Sequence, residues 1–153
     1  MLAGPGAGFD DAVLFQRTLQ YKAAGMSETH ISQQISWYQK LNTISGKNID
    51  DAAAEQEIRD SFAQLSDDEK QAINWNEKRL EKELPTLLKP WWRYAMAYDP
   101  VATLQQVKCP VLALIGEKDM QVPARENLVE TERALQSGGN RNFMVKEMPG
   151  LNH

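Results

Sequence analysis

Cysteine is nearly missing from these 153 residues: Cys109 stands alone, so no internal disulfide forms and a cysteine-rich zinc site is excluded. Histidine is almost as scarce. His30 and His153 are the only two, no H-E-x-x-H occurs, and a zinc centre has no ligand set. Basic charge is in deficit, with 17 Lys+Arg against 21 Asp+Glu and a formal net charge of −4, which leaves no broad positive field to neutralise phosphates. No nucleic-acid partner is expected. Long hydrophobic runs are lacking too, the longest being Val111 to Ile115, far too short to cross a bilayer. The opening MLAGPGAG has neither the charged n-region nor the length of a signal peptide, so no membrane association is expected and the compartment stays unassigned. What remains, 42% hydrophobic and 25% charged, is the composition of a globular chain of about one domain.

Residues 1–8 read as the end of a strand and a loop, a brief apolar Met1-Leu2-Ala3 followed by Gly4-Pro5-Gly6-Ala7-Gly8, which halts regular structure. The glycines are not a dinucleotide fingerprint, because the third glycine is at the wrong offset and no complete strand precedes them. From Phe9 to about Ala97 apolar residues recur three or four apart, as in Phe9, Val13 and Leu14, then Ile31, Ile35, Tyr38 and Leu41, and about four or five helices are expected. Gly25 suits a helix end, Ser27 an N-cap, and Ser66-Asp67-Asp68-Glu69 has the spacing of a capping box. The acidic stretches at 50–60 and 76–83 read as solvated helix surface, and Pro85 and Pro90 confine helix to short segments.

After Asp99-Pro100 the pattern changes. The run from Val107 to Gly116 is apolar, rich in β-branched residues and closed by a glycine, which predicts a fully buried strand. Residues 124–136 follow as an amphipathic helix with Leu128, Val129 and Leu135 inward, Ser137-Gly138-Gly139-Asn140 stops it, and Phe143 to Val145 makes a second strand. The unit is β-α-β with a right-handed crossover expected. Parallel strands need several neighbours and both faces covered, so two strands and a stub at 1–3 point to a piece of a longer protein.

Chemistry in open parallel sheets gathers beyond the carboxyl ends of strands. Asp119 lies in the turn leaving the first strand and His153 in the turn leaving the second, one crossover helix apart. Adjacent parallel strands would set them side by side, the carboxylate fixing the imidazole tautomer whose other nitrogen takes a proton. Taken singly, each has a plainer explanation: an Asp in a turn satisfies its own backbone, and a terminal His is solvated. Trp91, Trp92 and Arg93 either line a substrate pocket or pack the helices, the latter being the simpler reading. His30, early in a helix, reads as exposed or half-packed.

The segments C-P-V-L-A-L-I-G-E-K-D-M-Q-V-P at 109–123 and P-G-L-N-H at 149–153 resemble the catalytic-acid and catalytic-histidine segments of α/β-hydrolase-fold serine hydrolases. M-L-A-G-P-G at 1–6 resembles the strand and loop after the nucleophile elbow of esterases in that family, and P-W-W-R-Y-A-M-A-Y-D-P at 90–100 resembles the end of their helical cap. The resemblance implies an α/β class, a partial α/β-hydrolase fold: residues 1–8 ending a core strand, 9–98 a helical cap, and 99–153 the C-terminal part of the core. It implies Asp119 as triad acid and His153 as general base toward a small-molecule ester or acyl substrate, with no metal or organic cofactor required.

The pattern is incomplete. No G-x-S-x-G occurs, Ser45 and Ser137 stand in unrelated contexts, and the family's order of Ser, Asp, His puts the nucleophile and oxyanion donors before Met1. A missing N-terminal half of the same fold is the implied partner, and the chain alone is expected to be inactive. A serine aminopeptidase-like enzyme and a thioesterase or acyltransferase share the same pattern. A non-catalytic helical module docking a partner through residues 91–94 is the reading from a different class.

Overall fold

The computed structural model describes residues 6–152, and the expected strand stub at 1–3 and His153 lie outside the described residues. The chain divides into two compact units, one of residues up to Leu19 together with those from Asp99 onward, the other Gln20–Tyr98.

The second unit is helical throughout. Helix α1 (Phe9–Ala23) delivers the chain into it and ends at Gly25, whose φ of +74 only glycine adopts freely. Helices α2 (Glu28–Ser45), α3 (Asp51–Ala63), α4 (Asp67–Ala72), α5 (Glu77–Leu87) and α6 (Pro90–Ala97) follow. Each of α2 to α5 begins where a short polar side chain accepts a backbone N–H: Ser27 from His30, Asp50 from Ala53, Ser66 from Glu69 and Asn76 from Arg79. At α4 the Glu69 carboxylate reaches back to the Ser66 N–H at 2.8 Å, completing a capping box. The core is aromatic. Trp75 meets Trp37 and Tyr38 edge-on with centroids 5.7 and 5.6 Å apart, Phe62 tilts against Trp37, and Ile58, Leu41 and Leu80 are sealed from solvent. Arg79 lies over the Trp75 ring and donates to the Tyr38 hydroxyl at 2.9 Å, which satisfies a phenol inside that core.

The first unit is the β-α-β segment with its flanking helices. Helix α7 (Pro100–Leu104), capped by Asp99, leads to strand β1 (Val111–Gly116); helix α8 (Ala124–Ser137) crosses over to strand β2 (Phe143–Met148). β1 and β2 pair directly and in parallel, Val111 opposite Phe143 and Gly116 opposite Met148. Leu128, Ala134 and Leu135 of α8 are buried. Gly138 caps α8, and Asn140 donates to the carbonyls of Val107 and Cys109, fixing the approach to β1.

Helix accounts for 61% and strand for 8%, and among the described residues the sheet has two strands. The expected α/β class, with a partial α/β-hydrolase core, is therefore corrected: this is a helix-rich fold. Only two runs combine apolar density with β-branched residues, while most of the chain carries the 3.6-residue period that forms helices. Six helices occupy 9–97 where four or five were expected, because α4 is a six-residue helix held by its capping box rather than by an apolar stripe.

Strand β1 starts after Pro110, which has no N–H for a ladder, and it is not fully buried: Leu112 is 63% and Leu114 50% exposed. Parallel strands are buried only where something covers both faces, and α8 covers one. Val129, expected inward, is 55% exposed. β2 runs three residues past Val145. Pro85 does not stop α5 but sits inside its last turn. Among the described residues no helix is long and apolar enough to cross a membrane.

Candidate functional site

The carboxyl ends of β1 and β2 lie next to each other because the strands are parallel direct neighbours. Asp119, three residues beyond Gly116, is 9% exposed. Its Oδ1 accepts from the backbone N–H groups of Gln121 at 2.7 Å and Val122 at 2.9 Å, and its own N–H donates to the Gly116 carbonyl. This is an Asx turn, in which the side chain substitutes for a backbone acceptor and the carboxylate is locked in one orientation.

Two further contacts brace that turn within the same unit. Gln16 of α1 donates to the Gln121 carbonyl at 3.1 Å. Asn127 of α8, fully buried, donates to the Pro123 carbonyl and accepts from the Ala7 N–H, both at 2.9 Å. A side chain at Gly6 would collide with Thr131 Oγ1 and the Asn127 carbonyl, so glycine there lets the loop lie against α8.

The loop after β2 is tied to the loop after β1. Glu117 N–H donates to the Met148 carbonyl at 3.0 Å, Lys118 N–H to the Leu151 carbonyl at 2.8 Å, and Gly150 N–H to Glu117 Oε2 at 2.7 Å. Gly150 has a φ of +71, and a Cβ on Gly116 would stand 2.5 Å from the Leu151 carbonyl oxygen. The backbone through Asn152 therefore runs against the turn that carries Asp119. His153, the next residue, lies outside the described residues. Met120 and Leu151, 59% and 52% exposed, put apolar surface on these two loops.

The other proposed site residues belong to the helical unit. Trp91 is 56% exposed, whereas Trp92 is buried and meets the Trp91 ring edge-on at 5.4 Å. The Arg93 guanidinium is directed at the α2–α3 connection, where it pairs with Asp51 and donates to the carbonyls of Ser45, Lys47 and Ile49. Such a fork saturates a planar cation with main-chain acceptors and pins one loop. His30 is exposed in the first turn of α2, and Ser45 closes that helix in full burial.

No cluster of three or more His, Cys, Asp or Glu side chains among the described residues is arranged to hold a metal ion. Glu117 and Gly150 escaped the reading of the sequence, and Gly116 was read only as the end of a strand. The available signals were an acid directly after the glycine closing β1 and a Pro-Gly directly after β2. Comparison with protein-family models, with curated proteins and with solved structures returns no match.

Proposed function

We propose that Asp119 and His153 are the acid and the base of a serine hydrolase acting on carboxylic esters, with the attacking serine contributed from outside these 153 residues. The reading is supported chiefly by one observation: a buried, orientation-locked carboxylate on the loop that is hydrogen-bonded to the segment leading into His153. The exposed Met120 and Leu151 on those loops suit an acyl or alkyl group better than a charged one.

In this reaction one ring nitrogen of His153 donates to Asp119 while the other takes the serine proton as the serine oxygen attacks the ester carbonyl carbon. The tetrahedral oxyanion needs N–H donors supplied together with the serine. Collapse breaks the bond to the alcohol oxygen, which receives the proton from His153. Water, deprotonated by the same nitrogen, then attacks the acyl carbon; the bond from that carbon to the serine oxygen breaks, His153 returns the proton to the serine oxygen, and the carboxylic acid leaves. Asp119 stays ionised throughout and stabilises the imidazolium. On this reading the 153 residues supply the acid and the base but not the serine, and no turnover is expected of them alone.

The test is turnover of short- and long-acyl p-nitrophenyl esters by the protein expressed from the full reading frame, alongside Asp119→Asn. The expected result is a kcat lower by at least about 100-fold in the variant with KM little changed. Full turnover in the variant removes Asp119 from the mechanism, and faster cleavage of amides or thioesters than of esters reassigns the bond. A second reading, a non-catalytic helical binding module, is favoured by Trp91 and Tyr94, 56% and 68% exposed and three residues apart on α6. Absence of all acyl transfer from the full reading frame selects it.

A further inference from the structure

The candidate pair depends on how its two loops are held together, and among the described residues three hydrogen bonds join them. Two are backbone to backbone and available to almost any sequence. The third uses a side chain: Glu117 Oε2 accepts the Gly150 N–H at 2.7 Å, a short charge-assisted contact. Gly150, in the left-handed region at φ +71, follows Pro149 directly after β2, so its N–H has left the ladder and finds its acceptor on the neighbouring loop.

We propose that Glu117 is a positioning residue: its carboxylate clamps the 149–152 segment, which leads into His153, against the turn that presents Asp119. The inference rests on the acid–base reading above and adds the residue that sets the geometry of the pair. Glu117 stands two residues before Asp119, and Gly150 three before His153, so this side-chain contact ties the two arms close to their bases. The close approach of the Leu151 and Asn152 carbonyl oxygens to Gly116 leaves the segment no room to settle closer, and Glu117 keeps it from swinging away. An exposed acid serving only as solvated surface would act through its charge alone. A clamp acts through its acceptor oxygen, which glutamine keeps and alanine lacks.

The experiment uses the 153-residue chain in a His30→Gln background, which leaves His153 as the single imidazole to follow by NMR titration. Amide exchange at Gly150 is read in parallel. Glu117→Ala is expected to speed Gly150 exchange by roughly tenfold or more and to move the His153 midpoint toward that of Asp119→Asn. Glu117→Gln, which removes the same charge, is expected to stay near the parent on both readouts.

A His153 midpoint unchanged in Glu117→Ala while Asp119→Asn still lowers it overturns the clamp. Equal behaviour of the glutamine and alanine variants overturns it in favour of a charge effect. If Asp119→Asn leaves the midpoint unmoved, the acid–base pair itself fails and the positioning role falls with it. That outcome is recognisable because Gly150 exchange reports the Glu117 contact independently of any histidine.

Discussion

Asp11, in the first unit, is a carboxyl whose pKa moves against folding at neutral pH. Burial raises it first, the adjacent Asp10 and then Glu130 of α8 add to the rise, and only the Gly8 N–H pulls it back down. A carboxyl raised in the folded state binds its proton more tightly there than in the unfolded chain. Stability therefore falls as pH climbs through the interval just above the ordinary carboxylate range, and it stays lowered at pH 7. Asp11→Asn keeps an acceptor for Gly8 and removes the charge. The expected outcome is a higher urea midpoint at pH 7 and a flatter stability curve across that interval; an unchanged curve would mean solvent fully screens the three acids.

Legibility at the residue scale followed the same division between charge and bonding. Asp119 and His153 stood out because position after a strand is a sequence property. For Arg93 beside two tryptophans the sequence left pocket lining and packing both open, with packing the simpler; its donors meet main-chain carbonyls of 45–49, and a main-chain acceptor leaves no trace in the sequence. Glu117 was passed over for a related reason, since an exposed acid in a turn is indistinguishable on paper from ordinary solvated surface.

Among elements, the local rules were readable wherever a short polar side chain or a glycine decides the backbone. The Ser66–Glu69 box, the Ser27 cap and the arrest of α8 at Gly138 all depend on neighbours within five positions. Exposure was not readable, because it depends on what covers a face. Leu112, Leu114 and Met144 have the composition of a buried strand and stand 50–63% exposed on the side of the sheet away from α8. Gly116 sits between these cases: its identity matters through a contact made to a distant loop. A Cβ there meets the carbonyl oxygens of Leu151 at 2.5 Å and Asn152 at 2.6 Å, both main chain and unable to rotate aside. Gly116→Ala is expected to cost about 2 kcal/mol through forced separation of the two loops. Faster exchange of the Lys118 amide, which bonds the Leu151 carbonyl, would localise the damage, whereas unaltered protection at Lys118 would show that the loops absorb the methyl group elsewhere.

For the whole molecule, the expected hydrolase core required strands that the described residues do not contain, and the helical segment instead forms a compact unit of its own. Each unit has a separate hydrophobic centre: Phe62, Ile58 and Leu80 in Gln20–Tyr98, and Leu128, Ala134 and Leu135 around α8 in the other. The four tryptophans, Trp37, Trp75, Trp91 and Trp92, all belong to Gln20–Tyr98. Tryptophan emission therefore reports one unit, while far-UV circular dichroism sums both. With distinct cores, unfolding is expected to depart from a single two-state transition, the two probes giving non-coincident urea curves. Leu135→Ala, at a fully buried site of α8, should remove about 3 kcal/mol and shift only the dichroism component. Ile58→Ala should shift the emission curve by a similar amount. Coincident curves in the parent chain, moved together by either substitution, would show that the two cores unfold as one cooperative body.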